Sequence, residues 1–179
     1  MILTAFDPGK VASFAVFDTT TPWEIEIGEV GLEGAGRDLR PCGKQIRELI
    51  ERSNVALVEK VGAMKGQGVS SMFTFGLSLG AILGACSATG RQIERVDPQE
   101  WKKGSKLNGL DKNEAKTAAR HYAKELWPQH AKFFNRSTKH GFAEAALRAR
   151  WYFLSGPGRD IVLPADCQVR LDPPKERVS

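Results

Sequence analysis

The chain has 179 residues and a formal net charge of +5 at pH 7, with 41% hydrophobic and 26% charged residues. This composition is ordinary for one globular domain, and the modest positive charge suits a polyanionic partner without requiring one. The three cysteines are odd in number and far apart, which excludes a disulfide framework and a cysteine-based metal site. We therefore expect a reducing, cytosol-like compartment, and no signal peptide, because the chain starts without a basic leader.

The first part of the chain is predicted to form a three-stranded meander. Residues 2–6 and 11–17 are apolar runs joined by the turn signal "DPGK". Residues 24–31 alternate acidic and apolar side chains, as a half-exposed strand does. After a glycine-rich loop, the apolar spacing over residues 43–53 predicts an amphipathic helix.

Strands and helices alternate in the rest of the chain. The predicted elements are a strand over 55–61, a long glycine-striped helix after the loop 62–68, a strand over 91–96, a helix from Pro98, and helices over 112–126 and 140–154. We expect an α/β domain over residues 1–155, in which parallel strands extend the antiparallel meander into a mixed five-stranded sheet flanked by helices. Residues 156–179 are expected to form a poorly ordered tail.

The segment from Gly66 to Gly90 carries no charged residue and is long enough to span a membrane. Within it, Gly76, Gly80 and Gly84 form one smooth stripe at i, i+4 spacing, which lets another backbone approach closely. Transmembrane helix dimers use the same spacing. The many small polar residues of the segment favour a buried helix of a soluble domain, so we expect no membrane partner.

Two of the predicted strands end in a carboxylate, namely Asp7 and Glu59. Ligands of α/β proteins bind at the carboxyl edge of the sheet, where both acids are expected to lie. For Asp7 alone, a solvent-facing turn acid is the simpler explanation. Glu59 follows the apolar run 55–58, and a carboxylate in such a run must be paired, hydrogen-bonded or metal-bound. Acids on two adjacent strands predict a shared cation.

His140 and Glu144 are four residues apart and share one face at the start of the last predicted helix. With Asp7 and Glu59 they would form an oxygen-rich site with one imidazole, which suits Mg²⁺ or Mn²⁺ rather than zinc. Two such ions would support phosphodiester hydrolysis by activating a water and stabilising the leaving oxygen. From spacing alone, a helix cap that faces solvent is the more frequent explanation of the pair.

Six segments in order resemble RuvC-type Holliday junction resolvases, and most closely their phage and organelle-like branch. The segments are "FDPG", "LVEKV", "GQGVSSMFTFGLSLGAILG", "DPQEWKK", "DKNEAK" and "HGFAEAAL". They extend over roughly residues 2–154. Many relatives have an acid where this chain has Lys139 or His140, and relatives with "HG" often continue with a basic residue where this chain has Phe142.

The resemblance implies an RNase H-like fold, a homodimer, and a crossover junction endodeoxyribonuclease acting on four-way or branched DNA in the cytoplasm of a bacterial or phage-infected cell. It implies a magnesium or manganese site, with two ions, held by Asp7, Glu59, Glu144 and His140. His140 would be either a metal ligand or a proton-transfer group. The resemblance also implies a catalytic lysine near Lys116, and a dimer contact on the long helix that carries Gly76, Gly80 and Gly84.

Basic residues recur at i, i+4 spacing on the predicted helix over 112–126. The stripe consists of Lys112, Lys116, Arg120 and Lys124, and Lys102, Lys103 and Lys106 precede it. Such a stripe is usually a solvated face, but a phosphate backbone would supply the counter-charge that relieves its self-repulsion. We therefore expect DNA to contact this surface.

The loop "KGQGVSS" is the second candidate DNA contact. Gly68 allows a close backbone approach, the amides around Ser70 open a helix, and a helix N-terminus attracts phosphate. Gln67 can read base edges with its amide, and Lys65 adds a charge. A flexible loop with a helix cap explains the same residues nearly as well.

Three other classes of protein compete with a junction resolvase. A less selective RNase H-like nuclease of flaps or branched DNA would use the same acids. An actin-like ATPase or sugar kinase also opens with a strand, an acid and glycine, but it needs two such domains. A junction-binding protein without activity would not need the acids. The chain has no Gly-Lys-Ser/Thr signature, which excludes a P-loop enzyme.

Overall fold

The computed structural model describes residues 1–62, 66, 68–135 and 140–154, without the side chain of His140. Its strands are β1 (Ile2–Asp7), β2 (Ser13–Asp18), β3 (Ile25–Glu29), β4 (Leu32–Glu33), β5 (Arg40–Pro41), β6 (Val55–Glu59) and β7 (Gln92–Val96). Its helices are α1 (Gly43–Glu51), α2 (Val69–Ala88), α3 (Pro98–Gly104), α4 (Lys112–Leu126), α5 (Ala131–Phe134) and α6 (His140–Leu154). The expected tail over 156–179 lies outside the described residues.

A five-stranded sheet in the order β3-β2-β1-β6-β7 forms the centre of the molecule. The first three strands are antiparallel, whereas β6 runs parallel to β1 and β7 runs parallel to β6. The predicted mixed sheet, a meander extended by parallel strands, is therefore confirmed. This topology brings the carboxyl ends of β1, β6 and β7 to one edge of the sheet.

Both faces of the sheet are covered, because side chains along each central strand alternate between two apolar layers. Leu3 and Ala5 of β1 pack in the layer that contains α4 and α6. Phe6 packs in the opposite layer, with Ile50 of α1 and Ile82 of α2. The sheet therefore lies between two helical layers. The residues that follow each strand lie at the edges of the sheet where the strands end.

Helix α2 differs from its prediction as a buried helix. Only three of its 20 residues are buried, namely Ser78, Ile82 and Cys86. The side chains of Val69 and Phe73 are 84% and 60% exposed. By length and composition alone this helix could cross a membrane. Within the described part of the chain, one face of α2 packs towards the sheet, and its opposite face is an exposed, largely apolar surface.

Smaller elements were also missed by the sequence analysis. The glycine-rich loop after β3 contains the two-stranded pairing of β4 with β5, and α5 follows a short 3₁₀ turn over Pro128–His130. Two-residue strands and single-turn helices carry no periodicity, so no pattern announces them. The bounds of α4 and α6, in contrast, match those predicted.

Gly104 ends α3 where the indole ring of Trp151 lies against the backbone. A Cβ on Gly104 would overlap Cδ1 and Nε1 of this ring. We expect Gly104→Ala to lower the free energy of unfolding by about 1–3 kcal/mol, the usual cost of overpacking. Urea denaturation measures it, with Gly43→Ala as the matched control, because a Cβ on Gly43 meets nothing within 4 Å. Equal midpoints for the two variants would contradict the predicted close packing.

Candidate metal and nucleic-acid site

Asp7 and Glu59 end two neighbouring parallel strands, β1 and β6. The last registered pair of these strands is Phe6 with Val58, so each acid follows one residue later at the carboxyl edge. Strand alternation places both acids on the face of the sheet that α6 covers, with Ala5 and Leu57 two residues before them. Both side chains are 16% exposed, so these carboxylates are partly withdrawn from water.

Glu144 of α6 completes a group of three carboxylates around one cavity of about 480 Å³. Burial raises the pKa of the Glu144 carboxyl, and the negative charge of Glu59 adds to the shift, while Arg148 opposes it. The start of α6 touches Asp7, since a Cβ on Gly141 would lie 2.8 Å from Asp7 Oδ2. The absence of a side chain at Gly141 therefore allows α6 to approach the end of β1.

Arg148 lies one helical turn after Glu144 and is fully buried. Its Nη1 donates a 2.7 Å hydrogen bond to the carbonyl oxygen of Phe6. Its Nη2 lies 3.4 Å from Asp7 Oδ1 and 3.3 Å from Glu59 Oε1. One guanidinium nitrogen thus contacts both carboxylates, and the ion pairs show that the two acids are close together.

Trp101 of α3 also contacts this group. The fully buried indole donates from Nε1 to Glu59 Oε1 at 3.1 Å, and the guanidinium carbon of Arg148 lies 5.4 Å from the ring centroid. The helix that carries it starts with Asp97, whose side chain accepts a hydrogen bond from the Gln99 amide, and with Pro98 in its first turn. A well-defined N-cap therefore fixes the element that orients Glu59.

Lysines surround the acids. Lys102, Lys112 and Lys116 line the same cavity as the three carboxylates. Lys116 is half-buried and Lys112 is exposed, which places Lys116 deeper in the cavity and Lys112 at its rim. Carboxylates and lysines that line one cavity form a site that can take a phosphodiester together with cations.

The remaining predicted DNA contacts are not among the lining residues. Arg120 donates to Thr117 Oγ1 on its own helix, and Lys103 is exposed on α3. Gly68 is the N-cap residue of α2, and Ser70 lies in the first turn. Lys65 and Gln67 lie outside the described residues, as does the side chain of His140. The roles predicted for these residues stay predictions.

The donor set suits a hard divalent ion, because carboxylate oxygens are the ligands that Mg²⁺ and Mn²⁺ prefer. Asp7, Glu59 and Glu144 would hold it. In the described part of the chain, no three His, Cys, Asp or Glu side chains are arranged closely enough to hold a metal ion. The Arg148 guanidinium contacts two of the three carboxylates, so their present spacing is that of an ion-paired site.

Sequence reasoning missed Arg148, Trp101 and Gly141 as parts of the site. The i, i+4 relation of Glu144 to Arg148 is a signal that they share a face of α6. It could not show that this face is turned towards the sheet, because a Glu–Arg pair at this spacing is ordinarily exposed. Trp101 stood inside the motif "DPQEWKK" without any pattern that linked it to Glu59.

Comparison of the structure with solved structures identifies a fold. RuvC of Thermus thermophilus in complex with a Holliday junction substrate superposes with a TM-score of 0.58 at 18% identity, over 88% of this chain and 97% of that chain. A second structure of Thermus thermophilus RuvC has a TM-score of 0.49 at 18% identity, with 88% and 98% covered. Neither the protein-family models nor the curated proteins gave a match. The first of these likenesses, with the sheet order described above, shows that the chain has the RNase H-like fold of RuvC, a mixed five-stranded sheet flanked by helices.

Proposed function

We propose that this protein is a divalent-metal-dependent endonuclease that resolves four-way DNA junctions. The observation that carries the proposal is one cavity in which three carboxylates, Asp7, Glu59 and Glu144, meet lysines at the carboxyl edge of the sheet. The RuvC structure with the same fold contains a Holliday junction substrate, which supports branched DNA as the ligand class. A cytoplasmic location is part of the proposal.

The chemistry follows from the charges in the cavity. When bound, Mg²⁺ or Mn²⁺, with two ions per site, would supply an activated water and neutralise charge on the phosphate. Asp7 and Glu59 would hold metal from two rigid strands, and Glu144 would hold it from α6. Lys116 would contact the scissile phosphate and stabilise the charge that develops on its oxygens. His140 precedes Glu144 by one turn, and we propose it as a ligand or a proton-transfer group.

A direct test uses the purified protein with labelled DNA and Mg²⁺, read on a denaturing gel. We expect symmetric paired nicks in a fixed four-way junction and no cleavage in EDTA. A flap, a fork and a linear duplex of the same sequence serve as matched controls. Equal cleavage of flaps and junctions would favour the alternative function, a less selective RNase H-like nuclease of branched DNA. The absence of metal-dependent cleavage on all four substrates would contradict nuclease function.

Variants of Lys116 and Lys112, two lysines of α4, should distinguish an effect on the cutting rate from an effect on DNA affinity. We expect Lys116→Ala to lower the single-turnover cutting rate about a hundredfold with less than about a threefold loss of affinity. Its half-buried position among the acids is the reason. Lys112→Ala at the exposed rim is expected mainly to weaken binding, and to lower the salt slope of log K by about 1. Equal and negligible effects would show that the stripe is a solvated face.

We further propose that the active species is a homodimer joined along α2. Gly76, Gly80 and Gly84 are exposed, and a Cβ on any of them would meet no described residue within 4 Å. Among the described residues, therefore, none packs closely on the glycine stripe, which supports a contact between subunits over the competing explanation, packing inside one subunit. A groove of about 840 Å³ lies between α1 and α2, where Gly76 and Gly80 of the stripe line it together with Leu77 and Ala81.

The rim of the groove favours a second copy of the chain over a lipid environment. It carries charged side chains of both signs, namely Glu33, Arg40, Lys44, Arg47, Glu48 and Glu51. Charges of both signs around an apolar floor can be self-complementary across a two-fold axis. The hydrocarbon of a bilayer offers them no partners. Two identical sites related by a two-fold axis also match the symmetry of a four-way junction.

A further inference from the structure

The buried Arg148 of α6 contacts two carboxylates, which a purely structural residue between helix and sheet would not need. Arg148 is 0% exposed, and its Nη2 is within ion-pair distance of Asp7 Oδ1 and Glu59 Oε1. On the basis of the proposed function, we propose that Arg148 is a positioning residue, a fixed counter-charge that holds Asp7 and Glu59 together before metal binds and lowers their affinity for it.

Two contacts besides the ion pairs fix the guanidinium in place. Nη1 donates to the carbonyl oxygen of Phe6, the residue before Asp7, at 2.7 Å. The planar group lies against the Trp101 ring, with the guanidinium carbon 5.4 Å from its centroid. Helix α6 anchors the other end of the side chain. Since an arginine stays charged at any pH at which the protein folds, this positive charge is permanent.

The charge balance explains why a cation is placed here. Asp7, Glu59 and Glu144 bring three carboxylates into one partly buried cavity, where their like charges repel one another. A buried ion pair is costly to break because removal of one partner leaves an uncompensated charge. Arg148 keeps the acid pair together without metal, and Trp101 Nε1 adds a donor to the same Glu59 oxygen at 3.1 Å.

The same contacts have a consequence for metal binding. Arg148 occupies one oxygen of each carboxylate, and its charge repels a divalent ion that approaches the pair. Loss of the charge would remove both effects. Loss of a purely structural contact between α6 and β1 would instead leave metal affinity unchanged or lower it, because Asp7 and Glu144 would be less well positioned. We therefore expect a divalent ion to bind more tightly when the charge is removed.

The test compares Arg148→Gln with Arg148→Lys. Glutamine removes the charge and keeps a polar amide, and lysine keeps the charge without the two-pronged guanidinium. Mn²⁺ affinity is measured by calorimetry on the DNA-free protein, and thermal unfolding is followed in EDTA and in Mn²⁺. We expect Arg148→Gln to bind Mn²⁺ about tenfold more tightly than wild type, and Arg148→Lys to stay within about threefold. We also expect the midpoint of Arg148→Gln to fall in EDTA and to recover in Mn²⁺.

Each outcome decides the inference. Tighter Mn²⁺ binding by Arg148→Gln, or folding of this variant only with Mn²⁺, supports the counter-charge. Unchanged or weaker binding overturns it, and so does failure to fold in both conditions, which would make Arg148 a structural residue that metal cannot replace. If wild type cuts junctions with metal while Arg148→Gln shows no gain in affinity, only this inference fails. If neither protein binds Mn²⁺ and wild type does not cut, the proposed nuclease function fails as well.

Discussion

Glu59→Gln is expected to abolish metal-dependent cleavage of four-way junctions while junction binding persists. Glu59 ends β6 among the three carboxylates and is contacted by Trp101 and Arg148. Glutamine has nearly the same shape as glutamate, so the substitution removes the charge and keeps the size of the side chain. Loss of a metal ligand removes several kcal/mol of transition-state stabilisation, which corresponds to a rate decrease of about 10³-fold or more. Affinity for the junction comes from phosphate contacts of lysines and should change little.

Asp7→Asn and Glu144→Gln are expected to give the same separation of cutting from binding. Glu144→Gln offers a check on folding as well. Because burial and the charge of Glu59 raise the pKa of Glu144, its ionised form opposes folding as the pH rises through that pKa. The metal-free Glu144→Gln protein should therefore melt at or above the wild-type temperature at neutral pH.

Single-turnover cleavage and a gel-shift titration on the same junction measure the two effects. Glu100→Gln is the matched control, because Glu100 is an exposed acid in the first turn of α3 and does not line the cavity. A Glu59→Gln protein that cuts at close to the wild-type rate would refute the proposed site. Loss of binding together with cutting would show that the acids shape the DNA surface rather than the chemistry.

Gly80→Leu is expected to convert the proposed homodimer into a folded monomer that no longer makes paired cuts. In the part of the chain that the structure describes, a Cβ at Gly80 meets nothing within 4 Å, so leucine has room, and it favours the helix more than glycine does. In the dimer the same side chain would stand where a second backbone must approach. The structure thus predicts loss of assembly rather than unfolding.

Light scattering at micromolar concentration gives the mass, and circular dichroism gives the helix content. Gly80→Ala should show a smaller effect in the same direction. His121→Leu adds an apolar side chain to an exposed position on α4 and should remain dimeric, which controls for the added apolar surface. If wild type is monomeric both free and on DNA, and nicks one strand only, the dimer proposal fails and the flap nuclease becomes the better hypothesis.

The sequence by itself determined the sheet and the positions of two acids. The apolar runs that end at Asp7 and Glu59 are strong signals, because a buried strand needs a continuous or alternating apolar pattern that few other structures require. The bounds of α4 and α6 were also predictable. Asp111 and Glu114 form a capping box at the start of α4, so residues close together in sequence determine where this helix begins.

Tertiary structure decided which of the candidate residues come together. Lys112, Lys116 and Arg120 share one face of α4 by their spacing, yet only the first two line the cavity, because the cavity borders only the first half of the helix. Helical periodicity places side chains around an axis. It does not tell where a neighbouring element ends along that axis.

The ion pairs of Arg148 and the exposure of α2 depended on tertiary structure in the same way. An arginine four residues after a glutamate is a surface pair in most helices, and only the packing of α6 on β1 and β2 buries Arg148 against the ends of the strands. The uncharged sequence of α2 is compatible with a buried helix, which its small polar residues favoured, and also with a membrane span or a subunit contact. Burial depends on which surfaces face it, and that is settled by how all the elements pack rather than by the composition of one.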